Sequence, residues 1–192
     1  LKIASPAVLT NIATPVGASF VLMTMARFGD SAVAGAAIMG RITPLAFAAV
    51  FALSGAIGPI VGQNAGAGRY DRVRSTLVSA LLFNVVYVAV VWLLLWLSAD
   101  AIAGAFSASD QALELILFYC HFLVGAFTFN GFLFVANTTF NNLHHAHWAT
   151  FFNFGRALLG TIPAVYFGAL WFGPRGVMAG EAIGSMLFGL LA

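Results

Sequence analysis

Ser75-Thr-Leu-Val-Ser-Ala-Leu-Leu-Phe-Asn-Val-Val-Tyr-Val-Ala-Val-Val-Trp-Leu-Leu-Leu-Trp-Leu97 contains no Asp, Glu, Lys or Arg. As a helix rising 1.5 Å per residue it covers about 34 Å, enough to cross the roughly 30 Å hydrocarbon layer of a bilayer. Trp92 and Trp96 stand near its far end, where aromatic rings settle at the headgroups. The rest of the chain has the same character. Of 192 residues 61% are hydrophobic and 7% charged, and the mean hydropathy is +0.98. Soluble domains carry about 25% charged residues. A water-facing surface cannot be built from so little charge, so the chain reads as an all-α integral membrane protein.

Working outward, polar or Gly/Pro-marked breaks divide the chain into six helical segments, at residues 3–26, 32–61, 75–97, 111–141, 148–172 and 176–192. All six form one domain, residues 1–192. The second is too long to cross straight and is expected to tilt or bend at Thr43-Pro44. Asp100 to Asp110 reads as a loop, and Gly173-Pro174-Arg175-Gly176 as the turn into the last helix. Lys2, Arg69, Arg72 and Arg74 fall on one side; Arg27 and Arg175 fall on the other with Asp30, Asp100, Asp110 and Glu114. The bias of basic residues puts the first side, and both ends of the chain, in the cytoplasm of a bacterial inner membrane. The chain begins with Leu1 rather than Met, ends in the apolar run Phe188–Ala192 and carries no signal-peptide pattern. It therefore reads as a piece of a longer polypeptide.

Several function classes are disfavoured. The formal charge is +2, but eight basic residues scattered over the chain make no continuous basic face, so nucleic acid is not an expected partner. Cys120 is the one cysteine, which rules out an internal disulfide and a thiolate metal cluster. His144, His145 and His147 crowd one loop without a visible fourth donor, and read as solvated residues rather than metal ligands. The glycines at 62, 66 and 68 precede a helix but lack the Gly-Lys-Ser/Thr ending of a phosphate loop. An intramembrane enzyme built on His121 and Asn130 would need a nucleophile or metal in register, and neither is present.

Three motifs carry a resemblance. They are Ser5-Pro6 at the start of the first helix, Gly35-Ala-Ala-Ile-Met-Gly-Arg41-Ile42 in the second, and Gly58-Pro59-Ile-Val-Gly62-Gln63-Asn64-Ala-Gly66-Ala-Gly68-Arg69 at its end, followed by Tyr70-Asp71-Arg72-Val73. Together they resemble the second lobe of multidrug and toxic compound extrusion (MATE) transporters. The resemblance implies half of a twelve-helix, two-lobe transporter, partnered by an N-terminal lobe of the same polypeptide. It also implies export of amphipathic organic cations by alternating access, in exchange for Na+ or H+ and with no other cofactor. A lipid-linked precursor flippase of the same superfamily is the alternative. Family members coupled to sodium through this lobe place acids where this chain has Thr14 and Asn130. Neither residue offers a full charge, so the coupling acid is expected in the other lobe.

Polar residues inside lipid are costly and mark candidate sites. Arg41 and Arg156 lie deep in the second and fifth segments; they either face a cavity or pair with helix ends and fix packing. Asn130 and Asn137 lie two turns apart on one face with Asn141, and either bind substrate or join helices. Thr14 can offer a hydroxyl to a weak cation site. Glu181 is read as a shallow acid, able to take up a proton but nearer to pairing with Arg175 or lying at the interface. Pro15 and Pro44 are expected to make their helices bendable. Gly62, Gln63, Asn64, Gly66, Gly68 and Arg69 are expected to form a tight hinge, with the arginines on anionic headgroups.

Overall fold

The computed structural model describes residues 4–192, with side chains from residue 15 onward; Lys2 lies outside the described residues, as do the side chains of Ser5, Pro6 and Thr14. Within them the secondary structure is helical throughout: α1 (Ala4–Met25), α2 (Asp30–Ala46), α3 (Ala48–Gly66), α4 (Tyr70–Ala105), α5 (Asp110–Phe118), α6 (Phe127–Asn142), α7 (Ala146–Phe154) and α8 (Ile162–Leu191). These make six rods, because α2 runs into α3, α5 into α6 and α7 into α8, while α8 breaks at Gly173.

The rods are apolar on the wrong side for water. On α4 the buried residues Ala80, Asn84, Val88, Val91, Leu95 and Ala99 make one stripe. The opposite face shows Leu82, Val86, Val90, Leu93 and Leu97, all at least half exposed. Such an outer surface is stable against lipid tails and not against water. Four stretches among the described residues are long and apolar enough to cross a membrane: Ala48–Gly66, Tyr70–Ala105, Asp110–Asn142 and Ala146–Leu191. The chain is a multi-pass membrane protein.

Helix ends differ from the sequence expectations for local reasons. The third segment is not confined to 75–97 but spans Tyr70–Ala105, with Asp71 in its first turn, where a carboxylate favours the N-terminal end of the dipole. At the other end apolarity fades after Leu97, but Ala99 and Ala103 continue the buried stripe and keep the chain helical. The loop expected from Asp100 to Asp110 therefore shrinks to residues 106–109. The second segment bends at Phe47, three residues beyond Pro44. Proline removes a backbone donor upstream, and the break exposes carbonyls downstream. Phe47 turns into the core and stacks on Phe127 with centroids 3.8 Å apart, while the Tyr87 hydroxyl donates to the Ala46 carbonyl at 2.8 Å.

The glycine-rich motif is mostly helix rather than hinge. Gly62, Gln63 and Asn64 belong to α3, and Asn64 Nδ2 donates back to the Ile60 carbonyl at 2.8 Å. Gly58 and Gly62 make room for Asn142 of α6: a Cβ would lie 3.0 Å from its Nδ2 at Gly58 and 3.3 Å from its Oδ1 at Gly62. The turn is made by residues 67–69. Gly68 takes φ +69°, a left-handed value that only glycine adopts without strain, and Arg69 flanks the start of the next helix.

Small residues set the spacing of the last two rods. A Cβ at Gly180 would fall 2.5 Å from the Ala164 carbonyl oxygen, one at Gly184 2.7 Å from Thr161 N, and one at Gly160 3.0 Å from Gly184 Cα. In lipid, where apolar contact gives no gain by itself, close backbone approach is a main source of helix association. Gly173, at φ +60° ahead of Pro174, turns the chain between these rods.

Three connections meet at one end of the bundle. Ser31 and Ser109 hydroxyls lie 2.7 Å apart, Gly173 sits beside the Phe28 ring, and Arg175 pairs with Glu114 at 2.5 Å. This is the end to which the sequence assigned Arg27, Asp30, Asp110 and Arg175. Arg175 is thereby engaged by Glu114, not by Glu181.

Candidate functional site

Five of the six rods leave α4 on the outside and enclose a cavity of about 500 Å³. Its walls are mainly apolar, with Phe51, Phe127 and Phe134 forming an aromatic corner: Phe51 meets Phe127 edge-on at 6.0 Å and Phe134 at 5.2 Å between centroids. A pocket of this size that is mostly apolar with a few convergent polar groups suits a flat organic molecule.

The polar groups come from different rods. Thr43 and Pro44 come from α2, Tyr119 from the segment after α5, Asn130 from α6, Asn153 and Arg156 from the fifth rod, and Glu181 and Ser185 from α8. The Thr43 hydroxyl donates to the Met39 carbonyl at 2.8 Å and lies 2.9 Å from the Tyr119 hydroxyl. Having given its proton to Met39, Thr43 accepts from Tyr119. Asn153 is buried and tied to the Ala149 carbonyl at 2.7 Å, which holds its side chain along the helix.

Local departures from α-helix aim several of these groups. Tyr119 opens a π-helical turn, Tyr119–Leu123, and Arg156 lies in a second one, Gly155–Thr161, directly ahead of Pro163. A π turn adds a residue to the helical repeat and re-aims the side chains around it, a frequent arrangement at functional sites. Its loosened carbonyls need donors. Trp92 Nε1 supplies one, lying 3.1 Å from the Cys120 carbonyl oxygen and 3.2 Å from that of His121, with its ring over Gly125.

Of the residues singled out in the sequence, Asn130, Arg156 and Pro44 line the cavity. Arg41 does not: it is exposed and is not part of the wall that its neighbour Gly40 helps to form. Asn137 also lies off the wall, with Oδ1 buried and lacking a hydrogen-bond partner, and Asn141 is exposed. Glu181 is not a shallow acid at the interface; it opens onto the cavity within electrostatic reach of Arg156 and Tyr119. Sequence reading missed Tyr119, Thr43, Asn153 and Ser185 as wall residues. Among the described residues no group of three or more His, Cys, Asp or Glu is placed to hold a metal ion.

A helical bundle with a lipid-facing exterior and a solute-sized, partly charged cavity within its span has the form of a membrane transporter lobe. The MatE family model matches residues 6–166, and the chain belongs to this family of transporters. It is 33% identical to an uncharacterised 21 kDa protein of Pseudomonas savastanoi, covering 100% of this chain and 63% of that protein. It is 29% identical to a FAD transporter of Shewanella oneidensis, covering 98% of this chain and 42% of that one. A probable multidrug resistance protein NorM of Aromatoleum aromaticum is 30% identical over 62% of this chain and 27% of its own length. Among solved structures, the Vibrio cholerae MATE transporter VcmN in the bent form superposes with a TM-score of 0.91 at 21% identity, over 97% of this chain and 43% of that one. An outward-facing multidrug resistance MATE family transporter superposes at 0.88 and 19% identity, over 100% of this chain and 44% of its own length. The named relatives are transporters, not enzymes. The chain spans less than two thirds of the length of each of these proteins.

Proposed function

We propose that this chain is the C-terminal lobe of a two-lobe secondary transporter that exports flat, amphipathic organic cations by alternating access, driven by Na+ or H+. The observation that carries the reading is the cavity: three phenylalanine rings and an acidic residue, Glu181, share one mainly apolar wall. Ring faces and a nearby negative charge both attract a delocalised cation. In this reading the lobe pairs with a similar N-terminal lobe of the same polypeptide and rocks against it in a bacterial inner membrane. Arg69, Arg72 and Arg74 then face the cytoplasm, with both ends of the chain on that side.

Arg156 on the same wall favours a second reading, in which the solute carries an anionic group as the flavin dinucleotide of the Shewanella relative does. A flippase for lipid-linked precursors has less support, because the described charges on the wall are one arginine and one glutamate rather than a basic lining.

The test is efflux from liposomes by the full-length natural protein that contains this chain, under imposed sodium and proton gradients. Gradient-dependent efflux of ethidium supports the cation reading. Efflux of FAD and not of ethidium replaces it with the anion reading, and no gradient-dependent transport of either sinks both.

A further inference from the structure

Arg156 and Glu181 carry the two formal charges on the described cavity wall, and they face it without closing on each other. Each feels the other's field, yet the ion pair within 4.0 Å among the described residues is Arg175–Glu114, at the end of the bundle. Opposite charges in a poorly solvated site attract strongly and collapse into contact when their supports allow it. Here they stay more than 4.0 Å apart. Arg156 stands on the fifth rod and Glu181 on the sixth, and those two rods are locked backbone to backbone through Gly160 against Gly184 and Ala164 against Gly180. Glu181 follows Gly180 directly, so the contact that fixes the rods also fixes the backbone from which the carboxylate extends. On the other side, Arg156 Nε is buried with no hydrogen-bond partner, a donor held ready at a cost.

From this held-open arrangement we infer that Arg156 and Glu181 are a split specificity pair, which selects flat aromatic solutes carrying one cationic and one anionic group. The anionic group, a carboxylate or phosphate, takes the guanidinium, which recognises such planar oxyanions through paired donors. The cationic group takes Glu181, with the acceptor oxygen of Tyr119 nearby. The ring body lies against Phe127 and Phe134. A solute bridging both charges removes the penalty of leaving them apart, and a solute with one charge satisfies half of the site. This inference rests on the transport reading above and adds a solute class and the residues that choose it.

Xanthene dyes provide a matched series. Rhodamine 110 carries both charges, its methyl ester rhodamine 123 carries the cation alone, and fluorescein is anionic. Binding to the detergent-solubilised full-length protein is followed by fluorescence anisotropy for the natural sequence, Arg156→Gln, Arg156→Lys and Glu181→Gln, each checked by a thermal melt. The natural protein is expected to bind rhodamine 110 about tenfold more tightly than rhodamine 123. Arg156→Gln is expected to erase that preference by weakening rhodamine 110 and strengthening rhodamine 123, with Arg156→Lys keeping part of it. Glu181→Gln is expected to weaken both rhodamines and to strengthen fluorescein. Variants that shift all three dyes by one common factor, or shift none, overturn the split pair. So does a natural protein that exports ethidium under a gradient but binds the three dyes alike. Absence of any gradient-driven efflux overturns the transport reading itself, a separate result.

Discussion

Gly131 of α6 leaves the space that Asn84 of α4 fills. A Cβ at Gly131 would overlap the amide of Asn84, which is fully buried and donates to the Thr128 carbonyl at 2.9 Å. The relationship ties α4, the rod that does not line the cavity, to the polar fourth rod of the bundle. Gly131→Ala is expected to destabilise by about 1–3 kcal/mol through overpacking. Shortening the partner relieves the overlap, so Gly131→Ala combined with Asn84→Ala is expected to be less destabilised than the two single losses summed. Thermal melts in detergent read the cycle, and strict additivity would show that the two side chains do not share this space.

Glycines elsewhere separate packing from propensity. Gly184→Ala places a Cβ 2.7 Å from Thr161 N and is expected to lower stability by about 1–3 kcal/mol. Gly104→Ala meets nothing within 4 Å near the end of α4 and is expected to raise it by about 0.4–1 kcal/mol. Melting temperatures of the two variants should therefore move in opposite directions.

The Arg175–Glu114 pair joins the start of the fourth rod to the turn before the sixth, but the two side chains are 51% and 47% exposed. Arg175→Gln is expected to cost under about 1 kcal/mol, and the difference from the natural protein should shrink as salt is added. A larger, salt-insensitive loss would mean that the pair does more than its exposure allows.

Trp92 both packs on Gly125 and donates to carbonyls loosened by the π turn. Trp92→Phe keeps a ring and removes the donor, and is expected to cost about 1 kcal/mol. Trp92→Ala loses the packing on Gly125 as well and is expected to cost more than Trp92→Phe. Equal melts for the two variants would rule out the carbonyl contact as a contributor.

The fold was legible because lipid imposes a coarse rule: charge-free runs such as 75–97 must be helical, and their number follows from the polar breaks. The site was less legible because it depends on rotation about helices. Gly40 lies on the cavity wall and its neighbour Arg41 does not; one residue turns the side chain by about 100°, and no run of hydropathy records that. Glu181 looked shallow when counted from the turn at Gly173, since sequence distance does not reveal that the Gly160–Gly184 contact draws the last two rods together beside Arg156. Tyr119 was hidden for a different reason. Its aim into the cavity follows from a π turn, and π turns leave no propensity signal in a stretch such as Phe118-Tyr-Cys-His-Phe122. The Gly62–Asn64 motif was read as a hinge because glycine and amides favour loops, whereas Asn142 packing on Gly58 and Gly62 keeps it helical.

The central claim is that the cavity inside this lobe holds the transported solute. Gly40 offers a direct way to close it, since it lines the cavity and a Cβ there meets nothing within 4 Å. Gradient-driven ethidium efflux by the full-length protein is compared for the natural sequence and Gly40→Trp, with a melt to establish that the variant is folded. Loss of most of the efflux at an unchanged melting temperature is the result expected of a filled cavity. A folded Gly40→Trp protein that exports ethidium at the natural rate would contradict the assignment and move the solute path out of this lobe.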